Sequence, residues 1–150
     1  MSFAQSDATA LFSQLTSHAK ALKIFERVNS HEPENTPGSG LSCSITLGSI
    51  AADPAASGLA AVSGTITFMV RVWSSMMQKP LDAVDPAVLG AVSVLLAEYS
   101  GHFTLGGTVR DIDLLALKAQ AAYLNSEGKE FRTIEISVPI VVNDLWGMVA

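Results

Sequence analysis

Asp111 and Asp113 flank Ile112 at a spacing of two, which on a strand puts both carboxylates on one face and Arg110 on the other. Two carboxylates placed this way could hold a divalent cation or act as acid and base. The same pattern suits inter-subunit ion pairs or a solvated sheet face, and that reading is preferred. Of the three histidines, His18 falls roughly opposite the apolar stripe of an expected helix and reads as solvated. His31-Glu32 precedes prolines in an irregular segment, at a spacing that fits no metal-binding helix motif. His102 follows Gly101 just past an expected helix end, where an imidazole can bond the last carbonyls. The single Cys43 excludes an intramolecular disulfide and a cysteine-rich metal site, and reads as a small buried hydrophobe. Gly38-Ser39-Gly40 lacks the third glycine and the helix of a phosphate loop, and no Gly-x-Ser-x-Gly elbow exists. No catalytic, cofactor-binding or metal-binding residue is expected.

The elements that would position these residues are best marked in the last quarter of the chain. A turn cluster at Asn125-Ser126-Glu127-Gly128 separates two runs with strand character. In the second, Ile134, Ile136, Val138, Ile140 and Val142 alternate with Thr133, Glu135 and Ser137, giving a core side and a wet side. Pro139 offers no ladder hydrogen bond through its nitrogen, so the pattern predicts a sheet edge or a bulge there, and a free edge invites partners. Upstream, Ser6 or Asp7 can cap a helix whose stripe is Leu11, Phe12, Leu15, Ala19 and Leu22. Phe25–Asn29 reads as a short strand, Glu32–Gly40 as an irregular loop, Leu41–Ile50 as a strand and Ala51–Gly58 as a loop. Val62–Trp73 is a second clear strand, with Val62, Ile66, Phe68, Val70 and Val72 on one face and Ser63, Thr65, Thr67 and Arg71 on the other. Asp85-Pro86 marks an N-cap and first turn for a helix through Val88, Leu89, Val92, Leu95, Leu96 and Tyr99, stopped near Gly101. With Glu98 as its one charge after the cap, that helix should be covered on more than one side. Phe103–Leu117 reads as a strand interrupted at Gly106-Gly107, and Lys118–Leu124 leads into the hairpin. The order predicts one α+β domain over residues 1–150: a mostly antiparallel β-sheet, two α-helices packed on one face, and a long C-terminal β-hairpin.

Composition narrows the function. The chain is 49% hydrophobic and only 15% charged, against about 25% charged in an ordinary soluble domain, so part of its apolar surface should face another subunit. Apolar stretches are broken well before the roughly 20 residues of a membrane span, and the first residues lack a signal-peptide pattern. A net charge of −5 without a basic cluster disfavours nucleic-acid binding. A reducing cytoplasm is the expected place of synthesis.

The loop Phe25-Glu26-Arg27-Val28-Asn29-Ser30-His31-Glu32-Pro33, closing with Pro37-Gly38-Ser39-Gly40-Leu41, resembles the early segment of tail terminator proteins from long-tailed, siphovirus-type bacteriophages. The likeness is to the actinobacterial-phage branch, often labelled minor tail proteins. It continues through Ser57–Ala61, Val70-Arg71-Val72, Gln78–Pro86 and Gly107–Leu115. It ends with Ala122-Tyr123-Leu124, Phe131-Arg132 and Val138–Trp146, all in collinear order. One departure is Ala116-Leu117-Lys118, where such proteins often place a glycine-containing turn.

The resemblance implies a homo-oligomeric ring, typically of six subunits, that caps the head-proximal end of the tail tube. It would stop polymerisation of the tail tube protein and offer a surface to the head-tail connector or stopper protein. The chain would be made in the host cytoplasm and end in the virion tail, with no membrane role. Six copies at −5 each would give a ring near −30, a balance that lets DNA pass through the lumen without specific binding. The irregular loops at Glu32–Gly40 and Ala51–Gly58 are the expected contacts to tube or connector. Arg71 and Arg110 are expected to pair across subunits with Asp111, Asp113 or Asp144, and His31, Glu32 and Trp146 complete the expected interface. The alternatives are another neck or tail ring, such as a head-completion or tail-tube protein, and a small α+β acyl-thioester hydrolase with Asp82 or Asp85 as base.

Overall fold

In a computed structural model of the chain, residues 5–29, 41–52, 61–75, 84–101, 111–126 and 128–147 are described, with the backbone alone at 61, 62, 111, 126 and 143–147. The elements are α1 (Gln5–Ala21), β1 (Arg27–Asn29), β2 (Ser42–Ala52), β3 (Ala61–Ser75), α2 (Val84–Gly101), β4 (Asp111–Ile112), a 3-10 turn (Leu114–Ala116), β5 (Lys118–Ser126) and β6 (Lys129–Gly147). The sheet runs β1-β2-β3-β6-β4, and β5 lies beside β4 along the same flank of β6. Only the β1–β2 pair is parallel, so the sheet is mostly antiparallel. The fold is α+β, as the pattern of elements predicts.

Period-two alternation builds the sheet's inner face. Cys43 and Ile45 of β2, Ile66, Phe68, Val70 and Val72 of β3, and Ile136, Val138, Ile140 and Val142 of β6 all join one buried core. Leu11, Leu15 and Ala19 of α1 and Val88, Ala91, Val92, Leu95 and Tyr99 of α2 close it from that side. Helix α1 lies over β1 and β2, and α2 over β3 and β6. Each large apolar side chain so buried contributes about 1.5–3 kcal/mol. Two contacts fix the helices in place. Phe12 meets Phe68 edge-on, with ring centroids 4.9 Å apart at 83°, and the buried Tyr99 hydroxyl donates to the Leu15 carbonyl at 3.1 Å.

The structure corrects several expectations. Strand β6 is not an edge: β3 pairs along one flank, β5 and β4 along the other. Pro139 is tolerated there because its flank is where the neighbours change over. Ser137 is the last β6 residue paired with β5, Ile140 the first paired with β4, and the Pro139 carbonyl accepts the Asp113 amide at 2.9 Å. In an antiparallel strand a residue's N–H and C=O point to the same flank, so the donor that proline lacks would fall into that break. The strand expected over Phe103–Leu117 is, among the described residues, only Asp111-Ile112 followed by the 3-10 turn, which supplies the link at Ala116. Helix α2 begins at Val84, so Asp85 is a first-turn residue and not the cap. His18 is not solvated; its Nδ1 lies 3.0 Å from Glu98 Oε1 of α2. Strand β2 continues through Ala52, into the stretch expected as loop. The side expected to be wet is partly enclosed, since Ser63 and Thr133 are buried. The hairpin turn is tight: Ser126 pairs with Lys129, and Gly128 takes φ +76, a conformation that glycine adopts without penalty.

Candidate functional site

The features most unlike an ordinary monomer surface lie at the two flanks of the sheet. Strand β1 covers β2 only at Ser42–Ser44, so the rest of that edge, from Ile45 to Ala52, has no strand partner on that side among the described residues. The stretch Thr46–Ala52 contains no charge and no proline, the usual devices that keep an edge from pairing. Leu47 and Ile50 on it are 54% and 53% exposed. A β-bulge between Leu47 and Ser49 shifts the register, so that Leu47 stands opposite Phe68 and Ile50 opposite Ile66. Side chains three residues apart therefore project to the same, helix-bearing face. Gly48 makes the bulge possible, because a Cβ there would sit 2.8 Å from the Thr67 carbonyl oxygen.

The other flank is β5, which among the described residues is paired on its β6 side only. Helix α2 stops short of covering it. Between them lies a groove of about 400 Å³ lined by Asp85, Pro86, Val88, Leu89, Ala121, Arg132 and Ile134. Arg132 spans its end. Its Nε donates to Asp85 Oδ1 at 3.0 Å, and its guanidinium carbon stands 4.2 Å from the centre of the Tyr123 ring. An exposed pair of this kind contributes at most about 1 kcal/mol, so its main effect is to tie the first turn of α2 to the hairpin. Beyond the first turn, the outward side of α2, with Leu89, Gly90, Ser93, Val94 and Ala97, is exposed and carries no charge. Among the described residues α2 is thus covered by its own sheet and by α1, and this outward side is left bare.

The expected interface residues that are described lie on different elements. Arg71 lies on the outer face of β3 and pairs within the chain, its Nε 3.1 Å from Glu135 Oε1. Asp113 is exposed just before the 3-10 turn, and Asp111 is in β4 with only its backbone described. Asp144 and Trp146 lie in the last part of β6, where the backbone alone is described, and His31, Glu32 and Arg110 fall outside the described residues. His102, Asp82 and most of the two irregular loops fall outside them as well. Asp85, the other candidate base, is exposed and held by Arg132. Cys43 is 2% exposed, and burial pushes its thiol up to about 12, so it is a core residue and no nucleophile at neutral pH. Burial also raises Tyr99 well above its ordinary value. Among the described residues no group of three or more His, Cys, Asp or Glu could hold a metal ion, and no helix is long and apolar enough to cross a membrane.

Sequence reasoning missed the groove and the β2 edge. The missing charge in Thr46–Ala52 was a readable signal; the bulge that aligns Leu47 with Ile50 was marked by Gly48 alone.

No protein-family model and no curated protein sequence matches the chain. Among solved structures, it is similar to a chain in the virion of a native gene transfer agent particle, at 13% identity and a TM-score of 0.44, over 93% of this chain and 99% of that one. A superposition this loose carries no argument about function.

Proposed function

We propose that this chain is a structural virion protein of the tail terminator type. It assembles into a ring, six-membered by resemblance, that ends the tail tube and presents the surface for head-tail joining. The observation that carries the reading is a pair of unlike flanks on one sheet, both without a strand partner among the described residues. One is an uncharged strand edge with two exposed aliphatic side chains, and the other is a strand edge beside an apolar groove. Unlike surfaces on opposite sides of a subunit favour head-to-tail association, which consumes every edge when the rotation closes. The collinear resemblance to tail terminators supplies the place in the virion. In this reading the chain has no catalytic role, its partners are its own copies, the tube protein and the connector, and Asp113 with the aspartates at 111 and 144 contributes acidic charge to the ring.

Light scattering on a sizing column with negative-stain imaging tests this. A single closed ring of about six copies is expected. Long stacked tubes would move the reading to a tail-tube protein. A protein monomeric at every concentration, or a compact dimer that hydrolyses acyl thioesters, would end it.

A further inference from the structure

The two open flanks match each other in face as well as in polarity. Leu47 and Ile50 project to the helix-bearing side of β2, since their register partners Phe68 and Ile66 are core residues on that side. Ala121 and Ile134, register partners on β5 and β6, line the groove beside α2, on the same side of the sheet. If β2 of one copy lies alongside β5 of another with the helices on a common side, the pleat carries Leu47 and Ile50 over that groove. A volume of about 400 Å³ has room for two branched aliphatic side chains.

Charge points to the same occupant. Thr46–Ala52 is wholly uncharged, and the two charges at the end of the groove, Asp85 and Arg132, neutralise each other at 3.0 Å. An uncharged aliphatic strand therefore enters without stranding a buried charge, whereas a charged peptide would meet, among the described lining residues, no counter-charge that is not already engaged. The strand and the groove belong to opposite flanks of one sheet, so a copy cannot fill its own groove in this way. A second copy of the chain satisfies both at once.

We infer that Thr46–Ala52 of β2 adds to the open edge of β5 in a second copy, continuing the sheet between copies and seating Leu47 and Ile50 in the groove between α2 and β5. This rests on the ring reading above and names the contact that builds the ring. Backbone hydrogen bonds along the added strand would supply affinity, and the two side chains would set the register.

The test uses two variants of exposed positions: Leu47→Asp with Ile50→Asp, which spoils the strand, and Ala121→Glu, which spoils the groove. Native mass spectrometry should show a ring for the unaltered chain and folded monomers for each variant, with self-association weakened roughly 30-fold or more per lost contact. Mixed in equal amounts, the variants should form a one-to-one dimer and nothing larger, because the pair retains one intact strand and one intact groove. Rings that persist in both variants would overturn this contact and leave the ring reading standing. A mixture that stays monomeric would also overturn it, and an unaltered chain that is monomeric throughout would overturn both. If circular dichroism shows either variant unfolded, Leu47→Ser with Ile50→Ser and Ala121→Gln replace them, with the same outcomes.

Discussion

The Cys43 thiol is a chemical probe of how tightly the core closes. Burial raises it from its ordinary 9.0 to about 12, so the folded chain keeps its proton in a range where the unfolded chain has lost it. The sign follows from proton counting: stability from this group is present in full below pH 9 and falls as pH rises from 9 towards 12. The slope contributed rises from about half of 1.4 kcal/mol per pH unit at pH 9 towards that full value midway between the two pKa values. Tyr99 acts in the same direction above its ordinary value of 10.0, so the window between pH 9 and 10 isolates the cysteine. Denaturant midpoints for the unaltered chain should drop across that window more than those of Cys43→Ala. Equal slopes would mean that the thiol is far less enclosed than its 2% exposure indicates.

At the scale of elements, Gly48 controls the outer half of β2. An alanine there would place its Cβ 2.8 Å from the Thr67 carbonyl oxygen, and relieving that clash requires the bulge to move. Gly48→Ala is expected to cost about 1–2 kcal/mol in a urea titration and to weaken assembly beyond that loss, since the bulge aligns Leu47 with Ile50. Unchanged stability and unchanged association would show that the bulge is not needed. Much of the element plan was legible in the residues. The stripe Leu11, Leu15, Ala19 buries as its spacing demands, and the alternation from Ile134 to Val142 faces the core throughout its buried positions. The failures share a cause, which is that local pattern does not report long-range partners. Pro139 signalled a missing donor, but only the changeover from β5 to β4 explains how a central strand accommodates it. His18 looked solvated because Glu98 lies 80 residues away in sequence. The groove was illegible for the same reason, as it joins α2 to the hairpin across Arg132 and Asp85.

For the whole molecule, the proposed contact is apolar and backbone-mediated, which separates it from an interface of ion pairs. Charged contacts at a surface weaken as the screening length shrinks from about 10 Å at 0.1 M salt to about 3 Å at 1 M. A ring held by Leu47 and Ile50 should keep its mass in sizing runs across that range. One held by Arg71, Arg110 and the aspartates should dissociate, and that result would restore the ion-pair expectation. The strand order bears on how copies are made as well as how they join. Strand β6 is the last element of the described chain, yet it sits between β3 and the β5–β4 flank, so the two long antiparallel neighbours β3 and β6 meet across more than fifty intervening residues. A ribosome must deliver residues beyond Lys129 before the sheet has a middle, and such distant pairings slow folding. A copy broken off before β6 would leave β3 with a bare flank and no completed core. It could present no finished groove, so in the proposed ring prematurely ended chains would be left out by the same topology that completes the intact ones.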